Sequence, residues 1–198
     1  MNDTKASREL DEIVRICRRT GALMAESLWE YWPAVDHLEM AERNISLHFA
    51  VALWEHGYKL YAEASPAEDQ NRKLDLFAYH PSTGTQVICE FKRAWDERAF
   101  PELSNDLERI VAFRPRTVLS GARFGVLGCI SWKEELAKWW IQDEQTHPDQ
   151  KERKAFYDRI QSHHPAWGGV QLQRYGNSKE AFIKANSHHF LYAAFSLE

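Results

Sequence analysis

Two short apolar runs joined by a tight turn constrain this chain most. Lys73-Leu-Asp-Leu-Phe-Ala-Tyr79 and Thr85-Gln-Val-Ile-Cys-Glu-Phe91 are rich in aliphatic, β-branched and aromatic residues and read as strands. Between them, His80-Pro-Ser-Thr-Gly84 is a turn by its proline and glycine. A hairpin centred between Ser82 and Thr83 sets Asp75 opposite Glu90. Facing residues of an antiparallel pair share one side of the sheet, with Cβ atoms about 4.5–5.5 Å apart. Two carboxylates that close repel unless a cation lies between them. Side chains alternate along a strand, so Lys92 projects to the same side as Glu90. A slip of one residue in register would undo the pairing.

The pattern acid-x-Lys has low information by itself. It occurs four times, at Asp3-Thr-Lys5, Glu90-Phe-Lys92, Asp149-Gln-Lys151 and Glu152-Arg-Lys154. Only the second continues an apolar strand with an acid on the partner strand; the others lie in polar segments. A salt bridge at a strand end is the competing reading of Glu90 and Lys92.

Asp36 to His56 reads as one helix, with Asp36 as N-cap and Gly57 as its stop. Its apolar stripe runs through Leu38, Ala41, Ile45, Phe49, Ala52 and Leu53. Glu42 falls inside that stripe in angle, and Glu39 toward its edge. A glutamate on a buried face is costly unless it is paired or bound to a metal. Two readings stay open for Glu42: an arginine pair in the core, or a third acid aimed at the Asp75–Glu90 site.

The order is then a helix carrying Glu42, a strand Tyr58–Ala64, the Asp75 strand, the Glu90-Phe-Lys92 strand, and a further helix. Over roughly Glu39 to Ile130 the chain resembles the PD-(D/E)xK nuclease superfamily, which is restriction endonuclease-like. Leu74 stands where a proline precedes the acid in the family motif. The resemblance implies that Asp75, Glu90 and the Phe91 carbonyl bind magnesium or manganese. It implies that Lys92 orients or helps deprotonate the attacking water, and that Glu42 supports a metal directly or through water. Glu63 is a lesser candidate that reads better as a solvated strand-end acid. Oxygen ligands suit Mg²⁺, which keeps several waters and takes one or two carboxylates. The implied activity is phosphodiester hydrolysis in nucleic acid, DNA before RNA, in defence, restriction or repair. Small nucleases of this kind often dimerise, so a homodimer is an expected partner state. Two alternatives stand beside this one: a non-catalytic binding or regulatory protein on the same fold, and an unrelated α/β interaction protein in which these residues form a structural salt-bridge network.

Composition sets the remaining bounds. The 198 residues with 44% apolar content suffice for one α/β domain, with a nuclease-like core over about 36–131 and helical and strand additions over 132–198. We expect a central mixed β-sheet flanked by helices. Cys17, Cys89 and Cys129 are odd in number and far apart, which suits a reducing cytoplasm rather than a disulfide framework. Cys89 alternates with Glu90 and is expected to face the core. No apolar run has the length of a membrane span, and the polar N-terminus does not read as a signal peptide.

The net charge of −4 excludes a generic nucleic-acid coat, yet a local patch can still meet phosphates. The window from Arg109 to Lys133 holds no acid, and its Arg109, Arg114, Arg116, Arg123 and Lys133 are the candidate phosphate contacts. Scattered surface charge is the competing reading. His163-His164 and His188-His189 suit packing or surface roles better than metal binding, and Trp95 suits packing better than base stacking. The other expected elements are a helix Ser7–Trp32 broken at Pro33, helices Asn105–Phe113, Lys133–Gln145 and Gln150–Ser162, and strands Phe124–Ser131, Gly169–Tyr175 and His189–Phe195.

Overall fold

The computed structural model describes residues 2–35, 42–65, 73–94, 96–115, 119–141, 151–172 and 188–197. In chain order these form α1 (Asn2–Val35), α2 (Glu42–Glu55), β1 (Lys59–Ala64), β2 (Leu74–Tyr79), β3 (Gln86–Arg93), α3 (Ala99–Ala112), β4 (Arg123–Ser131), α4 (Glu134–Ile141), α5 (Lys151–Gln161), β5 (Ala166–Leu172) and β6 (His188–Leu197). The strands make one six-stranded mixed sheet in the order β1-β2-β3-β4-β6-β5. The expected α/β class, a mixed sheet flanked by helices, is what the chain adopts.

The turn between β2 and β3 closes as its residues dictate. Gly84 N donates to His80 O at 2.9 Å and His80 N to Thr85 O at 2.8 Å. Gly84 has φ +76, and a Cβ there would lie 1.9 Å from Ser120 O, so glycine is required. The ladder runs from Leu76↔Cys89 to Tyr79↔Gln86, which is the expected register. The β3–β4 pair is parallel and needs a crossover, which α3 supplies.

Both sheet faces are covered, which explains the near-continuous apolar run in β3. Val87, Cys89 and Phe91 pack with Ile13, Ile16 and Met24 of α1 and Ile45 and Phe49 of α2. Ile88 packs on the other side with Phe100, Leu103 and Leu107 of α3, Trp140 of α4 and Phe156 of α5. Cys17, Cys89 and Cys129 are all buried and free. The segment after 131 adds β5 and β6 to the same sheet, and α4 and α5 to the face that α3 covers.

Several boundaries differ from expectation. The first helix ends at Val35, two residues past Pro33; a proline so near the end removes one backbone bond within the final turn. Gly57 does stop α2, with φ +84 and its N–H on Trp54 O at 3.0 Å. Asp36, Leu38, Glu39 and Ala41 lie outside the described residues. The helix expected from Asn105 begins at Ala99, and Pro101 sits in its first turn, where a missing N–H costs no helical bond. The strand expected at Gly169–Tyr175 begins at Ala166, with Tyr175 outside the described residues. None of the described helices is long and apolar enough to cross a membrane.

Candidate active site

Beyond Leu76 the β2–β3 ladder stops, while β3 runs on to Arg93. Backbone groups alternate along a strand between its two neighbours. Gln86 N and Ala94 N bond to Ala122 O and Ile130 O on the β4 side, each at 2.9 Å. The odd-numbered Phe91 and Arg93 therefore turn their N–H groups toward the lane that β2 has left. Two carboxylates fill that lane. Asp75 Oδ2 accepts from Phe91 N at 2.7 Å, and Glu42 Oε2 accepts from Arg93 N at 3.3 Å. The Phe91 carbonyl points into the same lane as its own N–H.

On the α3 face, Glu90 is 2% exposed and Asp106 is 1% exposed. Arg109 Nε donates to Glu90 Oε1 at 2.7 Å, and its Nη2 donates to Asp106 Oδ1. One guanidinium thus bridges two buried acids. Lys92 Nζ lies 3.7 Å from Glu42 Oε1, 3.6 Å from Glu102 Oε2 and 4.0 Å from Asp106 Oδ2. Asp106 Oδ2 is buried with no hydrogen-bond partner.

Five carboxyl groups (Glu42, Asp75, Glu90, Glu102, Asp106) thus surround two cations, Lys92 and Arg109. Burial pushes the Glu90 carboxyl up to about 8, against the pull of the Arg109 hydrogen bond, and the nearby Asp75 charge adds to the rise. Burial likewise raises Asp106 to about 6, with Arg109 and Lys92 pulling it back. Burial lowers Lys92, but Asp106, Glu42 and Glu102 outweigh it and hold the ammonium above its ordinary value.

The four expected site residues are brought to one end of β3 from three elements: Glu42 from α2, Asp75 from β2, Glu90 and Lys92 from β3. Glu42 departs from expectation in one respect. Its side chain is 36% exposed, because at the first turn of α2 it reaches past the stripe to the strand end. Glu63 is a solvated acid, paired with Lys73 at 3.0 Å, as its position suggested.

The described members of the basic run do not gather into one surface. Arg109 joins the site but is bonded to its acids. Arg114 Nη1 bonds to Val111 O at 2.7 Å and Phe113 O at 2.8 Å, and Arg123 Nη2 bonds to Phe113 O at 2.6 Å. Arg123 pairs with Gln86, at the opposite end of β3 from Lys92. Lys133 is exposed just beyond β4 at the Lys92 end, and Arg116 lies outside the described residues. Consecutive basic residues fell at both ends of the sheet because α3 and β4 each cross its full depth. His163 lies 5.3 Å from the Phe195 ring, His188 6.1 Å from Trp132, and His164 is exposed. Trp95 is outside the described residues.

Glu102 and Asp106 are site residues that sequence reasoning passed over. The available signal was Glu102, Asp106 and Arg109 at helical spacing, beside Leu103 and Leu107. The expected start at Asn105 left Glu102 outside the helix, although Asp106 and Arg109 fell within it.

The acids here offer oxygen, the donor type that suits a hard divalent cation, and Asp106 Oδ2 accepts no hydrogen bond, its nearest cation being the Lys92 ammonium at 4.0 Å. Among the described residues no three His, Cys, Asp or Glu side chains are already drawn together as a metal shell. The acids are turned instead on to Lys92, Arg109 and the β3 backbone. Comparison with known proteins yields no relative: no family model, no curated protein and no solved structure matches the chain.

Proposed function

We propose that this chain is a metal-dependent nuclease that hydrolyses phosphodiester bonds, in DNA before RNA, with a role in defence, restriction or repair. The supporting observation is that Glu42, Asp75, Glu90 and Lys92 converge where β3 outruns β2. The element order α2-β1-β2-β3-α3 agrees with the resemblance to the PD-(D/E)xK superfamily.

Asp75, Glu90 and the Phe91 carbonyl would hold Mg²⁺ or Mn²⁺, with Glu42 beside them directly or through water. Such an ion, when bound, lowers the pKa of a coordinated water and stabilises charge on phosphoryl oxygens. The chain's own residues do the rest. Lys92, kept charged by its carboxylates, orients the attacking water and faces the negative charge that builds on the phosphate. Glu42 fixes the Lys92 ammonium and the end of β3 together. The water oxygen would bond to phosphorus and give its proton to solvent as the phosphorus–oxygen bond to the leaving strand breaks, and the leaving oxygen would take a proton from solvent. Cutting both strands of a duplex suits a homodimer.

A second reading rests on the ion pairs themselves. Lys92 and Arg109 already offset much of the acidic charge, so the fold could serve as a binding or regulatory protein without catalysis.

The test is cleavage of plasmid, linear duplex and single-stranded DNA and RNA in Mg²⁺ or Mn²⁺. Wild type should cut at least one of these substrates. Asp75→Ala and Lys92→Ala, shown to be folded, should lose about 100-fold or more of the rate, the scale of removing one charge-stabilising group. Cleavage that survives both substitutions would overturn the assignment. Failure of wild type to bind either metal would favour the non-catalytic reading.

A further inference from the structure

The helix α2 is apolar on two faces. Ile45, Phe49, Ala52 and Leu53 make its core side. Leu47, Val51 and Trp54 follow one another at steps of four and three residues and form a second stripe. At 3.6 residues per turn that stripe points away from the first. Its side chains are 59%, 39% and 69% exposed. A helix that is apolar all round is ordinarily buried all round. Its neighbour α1 leaves the outer stripe open, because it lies against a flank of α2: Glu12 meets His56, Arg19 meets Glu55 and Ser27 meets His48. Of the five large apolar side chains exposed among the described residues, three share this stripe. It is therefore a patch and not the single scatter that any surface shows.

We infer that the outer stripe of α2 is the surface by which two copies of this chain pair, α2 against α2, about a two-fold axis. A two-fold axis at the level of Phe49 runs the helices antiparallel. It seats Leu47 of each copy against Val51 of the other, with Trp54 closing the seam at each end. The ends of the stripe differ in charge. Arg43 stands exposed at its N-terminal end, while Glu55 at its C-terminal end and Glu26 beside it share Arg19. Antiparallel pairing brings unlike ends together and opposes the helix dipoles, whereas parallel pairing would set like against like. A stripe this short, used once by each copy, gives an interface below roughly 1,200 Å² in total, so the pairing depends on concentration. Glu42, which heads α2, is seven residues from the axis, so the two sites stand about 21 Å apart along the helix pair, at its opposite ends. That placement serves two strands of one duplex, and only this use rests on the nuclease reading.

The experiment is sedimentation velocity of the full chain on wild type, Val51→Glu and Trp54→Ala over about 1–200 µM, which brackets the affinity of an interface this small. Circular dichroism checks that each is folded. Wild type should pass from monomer to dimer as concentration rises. Val51→Glu sets a carboxylate near the axis on both copies and should stay monomeric throughout. Trp54→Ala should dimerise at least about 10-fold more weakly. Register is read by oxidation: a mixture of Leu47→Cys and Val51→Cys should cross-link faster than either variant alone, since Cys17, Cys89 and Cys129 are buried. Cross-linking no faster in the mixture would overturn the antiparallel register. A wild type that stays monomeric over the whole range would overturn the inference, as would a dimer that both Val51→Glu and Trp54→Ala leave intact. Loss of the dimer in both variants would uphold it even if wild type cuts no nucleic acid, so the interface and the nuclease reading stand or fall separately.

Discussion

The two ends of β3 are built on opposite principles. At the Gln86 end, Val87, Ile88 and Cys89 fill both faces with apolar side chains, and the nearby cations Arg114 and Arg123 are bonded to backbone carbonyls at the end of α3. At the Lys92 end the same strand buries Glu90 and gathers acids from α2, β2 and α3 around two cations. The first end is held chiefly by packing, although Gln86 Oε1 and Arg123 Nε are buried there without hydrogen-bond partners. The second carries more acid than base, holds Glu90 and Asp106 with raised pKa, and leaves Asp106 Oδ2 without a donor. Packing and charge are thus divided along one strand: one half supplies core, the other gathers buried and half-buried charges.

Substitutions can break that division or sharpen it. The largest stability effect belongs to the packed end. Phe124 pairs in register with Val87 and is fully buried, so Phe124→Ala should destabilise by about 3–5 kcal/mol, read by denaturant unfolding. Where the variant remains folded, its affinity for Mn²⁺ should be unchanged. A loss of affinity would show that the two ends are not separable.

The next effect is one of pH and belongs to the charged end. Burial holds the Glu90 carboxyl up at about 8 in the folded chain, above its ordinary 4.5, with Arg109 pulling it down and Asp75 and Asp106 adding to the rise. Between those values the folded state binds more protons than the unfolded state. The stability of the metal-free protein therefore falls as pH rises from about 4.5 through about 8, and the loss is complete above that. Melting curves across this window should show the fall, and Glu90→Gln should flatten it. A wild-type stability that rises steadily over the window would contradict the burial of a protonated Glu90.

The smallest effect is expected at Arg123. Removing its bond to Phe113 O should cost about 1 kcal/mol in Arg123→Ala. The salt dependence of DNA binding should not change, because the side chain is committed to the α3 end. A shallower salt slope in that variant would return Arg123 to the phosphate-binding surface.

What was legible in the sequence followed from short-range constraints. The Pro–Gly turn fixed the register that sets Asp75 against the end of β3, and alternation put Glu90 and Lys92 on one side. Helical phase marked Glu42 as an inward acid, although its exact reach to Arg93 N depends on where α2 meets the sheet edge. What stayed hidden depended on long-range placement. Pro101 looks like a helix breaker but is admitted in the first turn of α3, and with that turn comes Glu102; Asp106 lay in the expected helix, but its face toward Lys92 did not show in spacing alone. The run of basic residues reads as one patch in sequence, yet it is carried along α3 and β4 to both ends of the sheet. Spacing in a chain does not reveal which end of a crossover a side chain occupies.

The central claim is that the Lys92 end is completed by a divalent cation and the Gln86 end is not. Thermal melts of wild type, Asp75→Asn and Arg123→Ala, each with and without Mn²⁺, test it most directly. Ligand binding to the folded state alone raises its stability. Wild type and Arg123→Ala should both gain melting temperature on adding Mn²⁺, and Asp75→Asn should gain much less. Equal gains in all three, or no gain in wild type, would contradict the account.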